Sequence, residues 1–217
     1  MQDVSTQRIR DRSVASLLEG LADDADPAGG GALAAVAAAA GAAMVSMVGR
    51  YTIDHSTSSA VAGRMEEIVA ETERARDELV RLADEDAAAF QRVVRALRSP
   101  QEGAQEVARH RAVQEAYRRA AKIPMVIARG AIGLLELARQ VTESGDAETA
   151  SEGVTGAAML FASAVGAIAS AGADAAALSD AEAARGIRDE TRDLRERATG
   201  LLIATEAAFV GRLGSAG

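Results

Sequence analysis

The segment DPAGGGALAAVAAAAGAAMVSMVGR, residues 26–50, decides the fold of this chain. Three consecutive glycines precede residues 32–49, a run that contains no charged side chain. Alanine and glycine dominate this run, and the residues that favour membrane insertion most, Leu, Ile, Phe and Val, are sparse in it. A helix that is apolar on every side lies at the centre of a soluble protein, enclosed by other helices. We therefore expect a central helix that ends at about His55, and no membrane partner.

Composition limits the classes of function that the chain can have. Its 217 residues suffice for one substantial core, and we expect a single domain over residues 1–217. The absence of cysteine excludes disulfides and a thiolate nucleophile, and His55 and His110 are too few for a multi-histidine site, so we expect no metal. The net charge of −8, with Lys122 as the single lysine, argues against nucleic acid or an anionic membrane as a partner. The charged N-terminus does not resemble a signal peptide, which predicts a cytoplasmic protein.

The remaining segments show helical periodicity and no credible strand, so we predict an all-α, up-and-down bundle with long helices. Ser13 is expected to cap a short helix, Pro100 to end a long one, and Pro124 to break or kink a later one. The expected elements are a short helix with Val14, Leu17, Leu18 and Leu21 on one face, a long helix from the polar break at 56–59 to Ser99, a stretch from about Gln101 that resumes after Pro124, a small-residue helix from about Glu148 to Asp174, and a charged helix from Asp180 to about Gly211.

Asp86 is the candidate acid–base group. The long helix carries an apolar stripe that includes Leu79, Leu82 and Phe90, and a rotation of about 100° per residue places Asp86 in the middle of that stripe. A carboxylate on a buried face needs a partner or its pKa rises, and both situations suit an acid–base site. The alternative is a structural carboxylate bonded to an arginine or to the end of a neighbouring helix, and position alone leaves both open. Asp84 and Glu85 are expected to point away from the stripe.

The small-residue helix carries a second set of candidates. No basic residue occurs between Arg139 and Arg185, so one side of this helix lacks the mixed charges of a solvent-exposed face. Such a side suits either close helix packing or the polar wall of a pocket. Packing is favoured for Ser163, whereas for the acids Glu152 and Asp174 the two alternatives are equally open. The residues on this side are Glu152, Gly156, Met159, Ser163, Gly166, Ser170 and Asp174, and those expected on the opposite, core side are Phe161, Val165 and Ile168.

The glycines Gly29, Gly30 and Gly31 are the third candidate feature. Glycine tolerates positive φ, and backbone N–H groups at the start of a helix form a site for a carboxylate or another anion. A tight connection without a ligand is the alternative, because three glycines alone are a weak signal. The glycines therefore predict an anion site only in combination with other evidence.

Four motifs resemble one known family. ASLLEGLADDADPAGGGALAAVAAAAGAAMVSMVGRYTI, residues 15–53, resembles the start of the formiminotetrahydrofolate cyclodeaminase and methenyltetrahydrofolate cyclohydrolase family, with its short helix, Pro-x-Pro-Gly-Gly-Gly-Ser, Ala-rich helix and Val-x-x-Leu-Thr-Ile. LADEDAAAF, AAKIPMVIA and ASEGVTGAAML resemble its Asp-Glu-Asp-Ala-x-x-Tyr/Phe, Ala-x-x-x-Pro-x-x-x-Ala and Ser-Asp-x-Gly-x-Ala-Ala segments, in the same order. The resemblance covers nearly the whole chain and implies a cyclodeaminase-like, all-helical homodimer that binds reduced folate in a cleft.

The resemblance also implies a chemistry. It implies a hydrolase or ammonia lyase that acts on a C–N bond of a folate one-carbon adduct, 5-formimino- or 5,10-methenyl-tetrahydrofolate, without a metal or a bound cofactor. Asp86 would be the acid–base group and Glu152 would assist it. The expected substrate-binding residues are Gly29, Gly30, Gly31, His55, Ser151, Ser170 and Asp174.

Several polar positions differ from the family pattern and leave two alternatives open. The serine after the glycines is Ala32 here, a basic stretch is replaced by residues 54–58, and a lysine by Gln101. An aspartate becomes Glu152, and two asparagines become Ser170 and Asp174. The first alternative is a diverged enzyme of the same fold that acts on a different small substrate, for example a cationic one, in specialised metabolism. The second is a noncatalytic dimeric helical protein, which Asp86 disfavours because a purely structural bundle would do as well with Leu there. The departures predict weak or no hydrolysis of methenyl-tetrahydrofolate.

Overall fold

The fold consists of helices throughout the part that the structure, a computed structural model, describes: residues 7–24, 26, 28–99 and 104–215. This confirms the predicted all-α class. The helices are α1 (Val14–Ala22), α2 (Gly30–His55), α3 (Ser59–Leu97), α4 (Ala104–Ala120), α5 (Lys122–Ser144), α6 (Ala150–Ala176) and α7 (Ala181–Ser215), with 3₁₀ turns at Ile9–Asp11 and Ala147–Thr149.

Helix α2 occupies the centre of the bundle, as its uncharged sequence predicts. It packs against α3, α5 and α6, and α6 runs antiparallel to it. The two backbones approach closely: a Cβ atom added at Gly41 would lie 2.9 Å from the carbonyl oxygen of Gly156 and 2.7 Å from Cγ of Leu160. Small residues are thus required where α2 crosses α6, since a larger side chain would separate the helices.

Two segments of the described chain, Gly30–His55 and Ala147–Ala176, are long and apolar enough to cross a membrane by length and composition alone. Their most apolar stretches are 61% and 39% buried inside the bundle. The burial of the first agrees with the interior position expected for a central helix.

The local signals for helix ends act as predicted. The Ser13 side chain accepts a hydrogen bond from the N–H of Ser16 at the start of α1, as predicted. Within the predicted polar break at 56–59, the structure adds that the Ser58 side chain caps α3 in the same way. Pro124 lies in the first turn of α5, where a missing N–H costs nothing, so the break between α4 and α5 falls before it. The expected helix start at Gln101 lies outside the described residues.

The structure corrects the predicted core on two helices. Val14 and Leu18 are exposed on α1, whereas Leu17 and Leu21 pack against the core, because this short helix lies on the bundle surface and buries only a narrow stripe. On α6 most of the fully buried residues are small, and Ser163 is one of them. Helices α2 and α5 pack closely against that side of α6. The large residues expected on the core side are only half-buried; they are Phe161, Val165 and Ile168.

Candidate active site

A cavity of about 210 Å³ lies at one end of the bundle. Four helices meet there: α2 contributes its first turn, α3 its C-terminal third, α4 its last turn and α6 its last two turns. Its floor is largely apolar, and two carboxyl groups and a hydroxyl face it. The lining residues are Gly29, Gly30, Gly31, Asp86, Phe90, Val93, Ala120, Ser170, Ala173 and Asp174.

Asp86 lies against the start of α2. A Cβ atom added at Gly31 would lie 2.5 Å from each carboxylate oxygen of Asp86, and the backbone N–H of Ala32 donates a hydrogen bond to this carboxylate. The N-cap residue of α2 is Gly29, which has no side chain to accept a hydrogen bond, so Asp86 of α3 takes that place. The predicted anion at the glycines is therefore a carboxylate of the chain itself.

Of the three glycines only Gly31 serves close approach, since a Cβ atom at Gly29 would meet no atom within 4 Å and one at Gly30 would make an ordinary contact. None of the three has a positive φ, and the N-cap Gly29 is extended with φ −102°. The expected use of positive φ is therefore wrong, and Gly31 is required because the carboxylate of Asp86 fills the space of a side chain.

Burial changes the acidity of both carboxyl groups in the cavity. Burial raises the pKa of Asp86 to about 6, although the N–H of Ala32 opposes this by stabilising the ionised form. The pKa of Asp174 is also raised to about 6, chiefly by burial and further by the negative charge of Asp86. Two carboxyl groups that titrate near neutrality in one cavity can each hold or release a proton under working conditions.

Ser170 and Phe90 complete the cavity. The hydroxyl oxygen of Ser170 would lie 3.6 Å from a Cβ atom at Gly30, so α6 faces the first turn of α2 at this point. Phe90, which the apolar stripe assigned to the core, is 52% exposed and lines the cavity one helical turn after Asp86. Sequence reasoning missed it as a site residue, although its spacing of four from Asp86 on the same face was the available signal.

Three predicted site residues lie at the opposite end of the bundle. His55 ends α2, where its ring stacks on Tyr51 with centroids 4.1 Å apart. Ser151 donates a hydrogen bond of 2.7 Å to Glu152 near the start of α6. At 1.5 Å per residue, Glu152 lies about 33 Å from Asp174 along α6. Within one chain Glu152 is therefore too far from Asp86 to assist it as expected. Residues on one face of α6 can lie at opposite ends of the bundle, because this helix runs along its whole length.

The neighbours of Asp86 point away from the cavity, as predicted. Asp84 accepts hydrogen bonds from the N–H of Ile9 at 2.7 Å and from Nε of Arg10 at 2.6 Å. Glu85 pairs with Arg81 on the outer face of α3. Among the described residues, no three His, Cys, Asp or Glu side chains are grouped so that they could hold a metal ion.

Comparisons with known proteins agree on one family. The family model described as formiminotransferase-cyclodeaminase matches residues 13–193. A protein of Methylorubrum extorquens named methenyltetrahydrofolate cyclohydrolase is 32% identical over 141 residues, which cover 64% of this chain and 68% of that protein. The crystal structure of formiminotetrahydrofolate cyclodeaminase from Thermotoga maritima superimposes with a TM-score of 0.85 at 23% identity, over 94% of this chain and 99% of that one. The last likeness shows that the fold is shared.

Proposed function

This chain belongs to the formiminotransferase-cyclodeaminase family, and from that premise we propose that it is an enzyme that acts on a C–N bond of a folate one-carbon adduct. The substrates are 5-formimino- or 5,10-methenyl-tetrahydrofolate. The observation that carries the proposal is the cavity in which Asp86 and Asp174, each with a pKa raised to about 6, face the same space.

The reacting carbon of these adducts lies between two nitrogens and is cationic in the methenyl form. An ionised carboxylate beside it stabilises that charge in a site of low dielectric constant. In hydrolysis, a water oxygen bonds to the carbon and Asp86 accepts the proton of that water. The C–N5 bond then breaks as Asp86 returns that proton to N5 and the new hydroxyl group releases its own proton to Asp174 or water, which leaves the formyl group on N10.

The deamination uses the same groups. N10 attacks the formimino carbon and gives up its proton to a carboxylate. The imino nitrogen receives two protons, this one and one from the other carboxyl group, and leaves as ammonia, which yields the methenyl cation. Asp86 remains the acid–base residue in this proposal. Asp174, and not Glu152, is the second carboxyl group within reach of the same carbon, because only Asp174 lines the cavity with Asp86.

The size of the cavity supports binding of one end of the folate. A volume of about 210 Å³ is below the 300–1,000 Å³ that is usual for drug-sized ligands, so the cavity takes the reacting end while the rest lies outside. The exposed ring of Phe90 at its rim provides a surface on which a planar ring can stack. No metal or bound cofactor takes part in the proposed reaction, and tetrahydrofolate enters as the substrate.

A second candidate function is conversion of a different small cationic substrate. It is favoured by the charge of the cavity, because its described lining includes two acids and no basic residue. The 32% identity to a protein named methenyltetrahydrofolate cyclohydrolase places the folate adduct first.

We further propose that the protein is a cytoplasmic homodimer. The outer face of α2 supports a dimer, since it exposes Leu33 and Met47 on a helix without charges between them. Light scattering of the purified protein tests this assembly directly.

The proposed activity is tested with both adducts. Because the departures from the family pattern predict weak hydrolysis, we expect the protein to deplete the methenyl chromophore slowly but measurably faster than the spontaneous reaction, or to form it from the formimino adduct with release of ammonia. Asp86→Asn should lower this rate by about 100-fold. The matched control is Glu85→Gln, the next side chain on α3, which faces outward and should leave the rate unchanged. A folded wild type that converts neither adduct contradicts the proposal and favours the second candidate.

A further inference from the structure

We infer that Arg12 and Asp26 are positioning residues: their buried ion pair fixes the segment that enters the triple glycine and thereby holds the first turn of α2 against Asp86. This inference rests on the proposed function, because it concerns the same cavity. Neither residue touches the cavity, so both act through the backbone of α2.

The ion pair is almost fully enclosed. Nη1 of Arg12 lies 2.9 Å from Oδ2 of Asp26, and the two side chains are 1% and 5% exposed. Helix α1 packs directly onto the pair, since a Cβ atom at Gly20 would lie 2.7 Å from Nη1 of Arg12 and 2.8 Å from Oδ2 of Asp26. Desolvation makes a buried ion pair a weak source of stability compared with apolar packing, so its presence here points to a role other than stability.

Asp26 transmits the position of the pair to the glycines. Its second oxygen, Oδ1, accepts a hydrogen bond of 2.8 Å from the backbone N–H of Ala28, which is itself buried. The next residue, Gly29, is the N-cap of α2, and the N–H of Ala32 one turn later donates to Asp86. The ion pair, the hydrogen bond to Ala28, the backbone of residues 28–32 and the hydrogen bond from Ala32 therefore connect Arg12 to the carboxylate of Asp86.

The same segment is fastened to α3 beside Asp86. Asp84, two residues before Asp86, accepts hydrogen bonds from the N–H of Ile9 and from the side chain of Arg10. We call the described residues from 7 to 28 the N-terminal strap. Its first part is bonded to α3 through Asp84, and its last part leads into α2, so it is attached to both helices that form the Asp86–α2 contact. Both anchors restrain α2 and α3 relative to each other at the cavity.

A looser strap has a specific electrostatic consequence. If the first turn of α2 shifts so that the N–H of Ala32 no longer reaches Asp86 while this carboxylate stays buried, the ionised form loses a stabilising hydrogen bond and the pKa of Asp86 rises further. Among the described residues that line the cavity, α6 contributes Asp174 as the other titratable group, and α2 and α4 contribute none. The titration of Asp86 therefore reports the position of the first turn of α2. The charge of Asp174 also affects this titration, so it has to be included when the titration curves are fitted.

The test combines carboxyl titration by ¹³C NMR with kcat, KM and thermal unfolding of the full chain. Arg12→Gln should raise the pKa of Asp86 by about half a pH unit and lower kcat about tenfold, with a smaller change in KM. Arg12→Lys keeps the charge and should restore part of both effects. The matched control is Arg8→Gln, which removes an exposed ion pair with Asp11 in the same strap and should change neither.

Gly20→Ala is the second variant, because it displaces the ion pair without removal of a charge and covers the case in which Arg12→Gln does not fold. It should shift the titration of Asp86 in the same direction. A lower melting temperature with an unchanged Asp86 titration and kcat in the folded variants overturns the inference. If the wild type converts no folate adduct, the proposed function fails, but the NMR titration still decides the role of the strap.

Discussion

The carboxylate of Asp86 occupies the space that a side chain at position 31 would fill, since a Cβ atom added at Gly31 would lie 2.5 Å from both of its oxygens. This contact joins α3 to the start of α2 where both helices line the cavity. It also explains why the N-terminus of α2 needs no capping side chain of its own.

Gly31→Ala should displace the Asp86 carboxylate. Because a misplacement of about 1 Å costs roughly 100-fold in rate, we expect that loss in kcat/KM for the folate adduct. The matched control is Gly63→Ala in α3, where an added Cβ meets no atom within 4 Å. That control should leave the rate unchanged and stabilise the helix by up to about 1 kcal/mol. Equal rates for Gly31→Ala and wild type would contradict the proposed site.

The stability of the protein should fall as pH rises from about 4 to about 6 on account of Asp86. Its folded pKa is raised to about 6, so over this range the folded state binds more protons than the unfolded state, and deprotonation disfavours folding. The effect is at most about 3 kcal/mol, because one pKa unit corresponds to about 1.4 kcal/mol. Urea unfolding at several pH values measures it as the difference between wild type and Asp86→Asn.

The control for that titration is Asp77→Asn, whose side chain is 73% exposed. Its pH profile should parallel that of the wild type. If the difference in unfolding free energy between wild type and Asp86→Asn stays constant from pH 4 to 7, burial does not raise the pKa of Asp86.

Phe90→Ala should weaken substrate binding more than catalysis. An aromatic contact contributes about 0.5–1.5 kcal/mol beyond burial, so KM should rise about 2- to 10-fold while kcat changes little. The exposed Leu97 on the same helix gives the matched control Leu97→Ala, with unchanged KM. An unaltered KM for Phe90→Ala would remove this ring from the substrate contacts.

Gly41→Ala should destabilise the bundle without direct damage to the cavity. The added Cβ would press on the carbonyl oxygen of Gly156 at 2.9 Å, and overpacking of this kind costs about 1–3 kcal/mol. Chemical denaturation measures the loss. Gly130→Ala, where an added Cβ meets open space, should be neutral or stabilising, and equal losses for both would contradict the close α2–α6 packing.

The sequence by itself determined the helices and the unusual position of Asp86. The cap Ser13, breaks such as Pro124, and three-and-four periodicity act over a few residues, so they can be read locally. The uncharged run likewise identified α2 as the central helix, because a segment without charges has to be enclosed.

Only the tertiary structure decided which candidates share a cavity. Periodicity places Glu152 and Asp174 on the same face of α6, but the helix separates them by about 33 Å, and only Asp174 meets Asp86. The partner of Gly31 is likewise a carboxylate from a different helix, and Phe90 lies at the rim because none of the described helices covers it there. A helical pattern determines on which face of its own helix a side chain lies. Which helix ends meet at the cavity depends on how several helices pack against each other, and periodicity carries no information about that.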